Sequence, residues 1–378
     1  MSELPTYRTD FKNLGADAAF PVEKIPDAAF RNGIAVRMPN HLGDAVMALP
    51  ALKSLRSILP PYCALYVITP ASLRQLYAAI REVDGLVVLD RPHRFWGLRT
   101  INELRMLRLG VGVLFNHSFR DALLMRIAGT KRLYGAAKRG RSLLLTRAFD
   151  FPPRCDRELA KAHLSKRYLA IAAALGAVPA EPLLPRFDLS ELLVDPTDLV
   201  CALARHPLHL VLAAGAAYGP AKRWPEENFR TVAAAWVRRG GVVSVVGSAA
   251  EREVGEAVLS GLDPEKCFNL CGRTSLNQLM VLLKNAALCV ANDSGVMHLA
   301  AALGTPGVAV FGPTDPAATA PVTDKWLLLY RQIDCAPCFR RDCADNKCIK
   351  EITPRQALRA VLTQCRRFNL RLGPKRAK

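Results

Sequence analysis

A chain of 378 residues, about half of them apolar, exceeds the size at which one hydrophobic core usually splits, so two globular units are expected. No stretch approaches the ~20 uninterrupted apolar residues that span a bilayer, and the opening MSELPTYRTDFKN lacks an apolar signal core, so the chain is expected to work in the cytoplasm. The formal charge of +19 calls for an anionic partner: a nucleic acid, an anionic membrane surface or a phosphorylated glycolipid. No zinc-finger or RNP-type pattern supports a specific nucleic-acid reader.

In chain order, strand-like apolar runs at 33–38, 63–68, 85–89 and 111–115 alternate with helical stretches at 46–58 and 101–107. The loop RMPNHLGDAVMALPAL follows the first strand, with Gly43 placed for a tight turn and Asp44 beginning a helix. An acid there either caps the helix or, presented at the carboxyl end of the strand, serves as a general base. Between Arg91 and Asp150 thirteen Lys or Arg face three Asp or Glu. The run Arg126, Lys131, Arg132, Lys138, Arg139 and Arg141 reads as a Gly-broken loop region whose charges can point at one external partner, or as a solvated surface. The stretch 178–207, rich in Pro and acidic residues, reads as the linker.

Beyond it, strands are expected at 209–214, 242–246, 288–291 and 307–311, with helices at 226–238, 250–260 and 275–285. Alternating elements of this kind make an α/β protein with parallel sheets. Neither half carries GxGxxG after its first strand, so NAD is not indicated. The loop AAGAAYGPAKRWPEENF has small residues, Ala216 and Ala217 among them, that let a phosphate approach the backbone, and Lys222 supplies a cation. Glu251 suits ribose hydroxyls or a first-turn helix acid. In ALCVANDSGVMHLAAALGTPGVAVFGPTDP, Asp293, Ser294 and Gly295 lie between a buried strand and a helix start, where orphan amides and the helix dipole favour a diphosphate. Capping alone would also explain Asp293 or Ser294, but His298, one turn in on the same side, and the Gly-Pro-Thr-Asp loop beyond favour a binding site.

Four stretches in order resemble glycosyltransferase family 9, the ADP-heptose:lipopolysaccharide heptosyltransferases, with most similarity to the type II enzymes. They are RMPNHLGDAVMALP, AAGAAYGPAKRWPEENF, the long segment from LCGRTSLNQ to FGPTDP, and CAPCFRRDCADNKCIKEITP. The resemblance implies a GT-B fold, two Rossmann-like domains with parallel sheets facing across a cleft. Its domains would be an acceptor domain over 1–185, a linker over 186–207, a nucleotide-sugar domain over 208–353, and a last helix with basic tail, 354–378, returning to the first domain. It implies an inverting transfer without catalytic metal or other cofactor, from an ADP-heptose donor to a lipid A inner-core acceptor at the inner membrane surface. Asp44 would take the acceptor proton and Lys222 would offset charge on the departing diphosphate. Ala216, Ala217, Glu251, Asp293, Ser294, Gly295 and His298 would line the donor. The candidates for the acceptor are Asn40, Arg120, Lys131, Arg132 and Arg139. Ser294 stands where the family more often has Thr, and Ala216 and Ala217 where hydroxyl residues are commoner. Cys335, Cys338, Cys343 and Cys348 have the look of a zinc knuckle, but the second pair is spread over four intervening residues rather than two. A type I enzyme, a family 9 transferase with another sugar or acceptor, a nucleotide-sugar-binding protein without transferase activity, an epimerase on the same fold and a nucleic-acid-binding module are the alternatives.

Overall fold

The computed structural model describes residues 20–89, 96–138, 140–151, 163–179, 181–190 and 199–373. Two compact units divide at Asp188–Leu189. The first contains β1 (Ile34–Arg37), β2 (Leu65–Pro70), β3 (Gly85–Leu89), β4 (Val111–Leu114), β5 (Arg132–Ala136) and β6 (Arg147–Phe149), in the order β3-β2-β1-β4-β5-β6. Every neighbouring pair is parallel. Its helices are α1 (Leu42–Met47), α2 (Leu49–Arg56), α3 (Arg74–Ala78), α4 (Leu98–Leu107), α5 (Phe119–Ile127) and α6 (Leu164–Ala174). All four residues of β1 are buried, as a strand covered on both faces requires. One core joins Ile101 and Leu104 of α4, Ala122 and Met125 of α5 and Leu145 to Ala35, Ile68 and Val87 of the sheet.

Three readings of the first half change. Helix α1 starts at Leu42, so Gly43 is helical and Asp44 lies in the first turn behind the N-cap His41, which makes no side-chain cap. The basic run holds a strand, β5, whose Leu133 and Tyr134 are wholly buried; the glycines and charges around it hide its apolar content. The linker is also shorter at both ends. Asp188 donates its N–H to Ala79 O (2.7 Å) and pairs with Arg81, while α7 (Leu199–Arg205) packs on α10 (Leu276–Asn285) of the second unit.

The second unit repeats the topology with β7 (His209–Ala213), β8 (Val242–Val245), β9 (Cys267–Asn269), β10 (Leu288–Asn292), β11 (Gly307–Phe311) and β12 (Trp326–Tyr330), ordered β12-β11-β10-β7-β8-β9 and parallel throughout. Its other helices are α8 (Glu226–Val237), α9 (Arg252–Leu259), α11 (Gly295–Ala302), α12 (Pro316–Thr319), α13 (Lys347–Lys350) and α14 (Pro354–Arg367). A capping box between Thr353 and Gln356 opens α14, with Pro354 at its first position. Helix α14 packs on α8, β11 and β12 of its own unit. Its buried stripe of Ala357, Ala360, Val361 and Cys365 joins that unit's core, and Gln364 Nε2 donates to the carbonyls of Gly307 (2.7 Å) and Lys325 (2.6 Å). Arg367, placed in the basic tail by the sequence, is spent on Asp324 at 2.9 Å.

In each sheet the chain adds strands outward on one side and then restarts beside the first strand, so the order reverses between β1 and β4 and again between β7 and β10. Loops at the carboxyl ends of such neighbours splay apart, which is where open parallel sheets bind ligands.

Candidate active site

At the carboxyl edge of the second sheet, β10 delivers Asn292 and Asp293, and β7 delivers the loop that carries Lys222. Asn292 is fully buried and stitches both ends of that loop. Its Nδ2 donates to Ala214 O (2.6 Å) and its Oδ1 accepts from the N–H of Trp224 (3.1 Å). Trp224 is itself locked, its indole N–H donating to Ile352 O at 2.7 Å. Asp293, 4 % exposed, accepts from Lys222 Nζ (2.5 Å) and Thr314 Oγ1 (2.7 Å) on one oxygen, and His298 Nε2 stands 3.9 Å from the other. The sequence reading singled out the Gly-Pro-Thr-Asp loop but gave Thr314 no role of its own, and it missed Asn292, because their partners are distant in the chain.

Lys222 sits on a short 3-10 turn, Pro220–Lys222, with its ammonium 4.7 Å from the centre of the Tyr218 ring. The cysteine-bearing loop supports this turn from outside. Arg341 O accepts from Ala221 N (3.0 Å), Tyr218 Oη donates to Phe339 O (2.6 Å), and Cys338 N and Phe339 N both donate to Pro313 O. A Cβ on Gly219 would strike the Arg341 carbonyl, so this approach requires glycine. Among the described residues no three His, Cys, Asp or Glu side chains are arranged to hold a metal. Cys335 and Cys338 are exposed, while burial pushes the Cys348 thiol up to about 11.

Helix α11 begins at Gly295 with Ser294 as N-cap, its Oγ accepting from Met297 N at 3.5 Å. That long bond leaves the first amides of the helix available, since a capping side chain satisfies only one of its orphan donors. Of its two expected roles, Glu251 shows the one at the helix start. It completes a capping box with Ser248 (2.7 and 2.8 Å), and its carboxylate lies so close over Gly215 that a Cβ there would collide with it. Ala216 is buried and Ala217 exposed, so of this pair only Ala217 offers a side chain to a ligand.

The carboxyl edge of the first sheet is built on Arg37, the last residue of β1. Wholly buried, it donates to Asp121 (2.7 Å), to Met38 O (2.5 Å) and to Asn40 Oδ1 (2.6 Å). Asn116 (2.6 Å) and Arg120 (3.1 Å) add donors to the same Asp121 carboxylate. Burial lowers the Arg37 pKa against the pull of Asp121. Asn40 and Arg120 are thus brought together near the strand end from which α1 carries Asp44. Arg141, also fully buried, gives its Nε–H to Ala136 O (2.8 Å), and both of its terminal nitrogens lack a hydrogen-bond partner. Burial pulls its pKa down to about 10.

Lys131 and Arg132 fall elsewhere. They open β5, whereas Asn40 follows the end of β1, and the strands are parallel, so the two groups occupy opposite edges of the sheet. Arg126 likewise turns inward, donating to the carbonyls of Leu144 (2.6 Å) and Thr130 (3.0 Å). Arg139 lies outside the described residues.

The model of glycosyltransferase family 9 (heptosyltransferase) matches residues 98–349. The chain belongs to glycosyltransferase family 9. Within this family it is 30% identical over 338 residues to lipopolysaccharide heptosyltransferase 2 of Escherichia coli, covering 85% of this chain and 94% of the relative. The solved structure of E. coli ADP-heptose lps heptosyltransferase II superposes with a TM-score of 0.75 at 26% identity, covering 89% of this chain and 99% of that one. Lipopolysaccharide heptosyltransferase 1 of Pseudomonas aeruginosa is 38% identical, but over 123 residues, 32% of this chain and 34% of the relative. The fold is therefore GT-B, with two six-stranded parallel sheets, and the family 9 likeness to type 2 enzymes runs through most of the chain.

Proposed function

We propose that this protein is an inverting heptosyltransferase of the type II kind, moving heptose from ADP-heptose to a lipid A inner-core acceptor that already bears one heptose. The observation that carries the reading is the Lys222–Asp293–Thr314 cluster beside the start of α11, in a chain whose likeness to type 2 enzymes spans 85% of its length. The second unit would hold the donor. The amides of Ser294 and Gly295 face the diphosphate, His298 faces the diphosphate or the sugar, Glu251 accepts from the ribose, and the loop at Ala216 and Ala217 lies along the phosphates. The first unit would hold the acceptor. Asn40 and Arg120 border its site. The same assignment leaves Lys131 and Arg132 to the anionic surface of the membrane rather than to the sugar.

In the reaction, the acceptor hydroxyl oxygen attacks the anomeric carbon of the heptose. The bond from that carbon to the β-phosphate oxygen breaks, its electron pair leaves with ADP, and Asp44 takes the hydroxyl proton. Lys222, shared in the resting state with Asp293, meets the charge that grows on the diphosphate as that bond breaks, so it lowers the barrier more than it tightens binding. No metal is needed for this step, because helix amides and Lys222 supply the positive field.

The test is ADP release from ADP-heptose with cores truncated before or after the first heptose. Release only with the heptose-bearing core supports type II, and release only with the heptose-free core means type I. Asp44→Asn is expected to lower kcat about 10³-fold while ADP binding, followed by calorimetry, is retained. Undiminished turnover in this variant would remove Asp44 as the base.

A further inference from the structure

The outer face of the α4–α5 layer is unusual for a protein surface. Leu98 and Met106, at the two ends of α4, are 78% and 84% exposed, and Leu143, in the turn Arg141–Leu144, is 96% exposed. Helix α5 packs against both α4 and that turn. Two bonds close the seams: Arg105 Nε to Ile127 O (3.3 Å) and Arg126 Nε to Leu144 O (2.6 Å). The three exposed apolar side chains therefore belong to adjoining elements of one layer. Arg99, Arg105 and Lys131 are exposed around them. From Leu98 to Arg147 the sequence has two carboxylates, the exposed Glu103 on α4 and Asp121, wholly buried beside Arg37, against the exposed cations Arg99, Arg105, Arg108 and Lys131, so the surface charge of this stretch is net positive.

We infer that this face docks on an anionic lipid bilayer, with Leu98, Met106 and Leu143 entering between headgroups and the surrounding cations pairing with lipid phosphates. The inference rests on the reading that the acceptor is a glycolipid, and it names the surface that meets the lipid. Separate apolar protrusions ringed by Arg and Lys suit a bilayer, whose headgroup region accepts both at once. A folded protein partner would need a contiguous complementary surface. Because the layer lies flat against the sheet, it runs from the amino edge to the carboxyl edge. Helix α1, which carries Asp44, packs with α2 and α6 in the other helix layer, so docking on the α4–α5 face leaves the carboxyl edge uncovered.

The experiment is co-sedimentation of the full chain with vesicles of phosphatidylcholine containing phosphatidylglycerol, and with phosphatidylcholine alone. Wild type is compared with the triple variant Leu98→Glu, Met106→Glu, Leu143→Glu, whose positions are too exposed to matter for folding. The expected result is at least a tenfold loss of partitioning to the anionic vesicles, with transfer from ADP-heptose to a deacylated, water-soluble acceptor unchanged. Equal partitioning of wild type and variant, or wild-type binding as strong to pure phosphatidylcholine, overturns the inference. So does a wild-type dimer on size-exclusion chromatography that the triple variant dissociates, which would make the face a contact between copies of this chain. Absence of transfer to the soluble acceptor in wild type would sink the proposed function and leave the vesicle result standing by itself.

Discussion

At the carboxyl edge of the first sheet Arg37 pairs with Asp121, and at the same topological point of the second sheet Lys222 pairs with Asp293. Each carboxylate also collects neutral donors, Asn116 in the first case and Thr314 in the second. The two pairs differ in where the cation is anchored. Arg37 is part of a central strand, is wholly buried and uses its donors on neighbours, whereas Lys222 sits on a 3-10 turn, 12% exposed and resting on Tyr218. A guanidinium fixed by a strand is committed to holding loops together. An ammonium on a supported turn can exchange a carboxylate for an incoming diphosphate.

Replacing each cation by Met sharpens the contrast. Arg37→Met leaves Asp121 buried without its main partner and is expected to cost about 3–5 kcal/mol, seen as a fall of roughly 10 °C in Tm. Lys222→Met should act on chemistry instead, lowering kcat about 10²-fold with a much smaller change in Tm, because Asp293 keeps Thr314. If both variants lost stability equally with no separate effect on kcat, Lys222 would be as structural as Arg37 and the contrast would fail.

A smaller effect tests how the Lys222 turn is held. Asn292→Asp removes the donor to Ala214 O, and a loss of about tenfold in kcat is expected from the misplaced turn. Combined with Lys222→Met, the same substitution should add little, since a residue that acts through Lys222 has nothing left to position. Full additivity of the two losses would assign Asn292 to general folding.

Much of this was legible in the chain itself. The apolar runs at β1 to β4, β7, β8, β10 and β11 mark strands because a strand covered on both faces must be apolar throughout. The turn after β10 announced a helix start because Ser294 and Gly295 are good residues for one. Strands β5, β6 and β9 were hidden by charges, glycine or shortness, although β12, WLLLY, had an ordinary strand composition and was open to reading. Asp44 and Lys222 stood out through their motifs. Asn292 and Thr314 did not, since their value lies in bonds across 78 and 21 residues of sequence.

The sequence by itself determined the class of fold, the alternation of strands and helices, and where the candidate site loops begin and end, because each depends on neighbours within one element. Tertiary structure alone decided which charges meet. Lys222 reaches Asp293 across 71 residues and Arg37 reaches Asp121 across 84, both by way of the strand order. It also sent Lys131 and Arg132 to the edge opposite Asn40, turned Arg126 and Arg141 inward, and laid α14 on its own unit. The physical reason is the same in each case: a side chain's partners are set by which strands lie side by side and in which direction they run, and no local pattern records that.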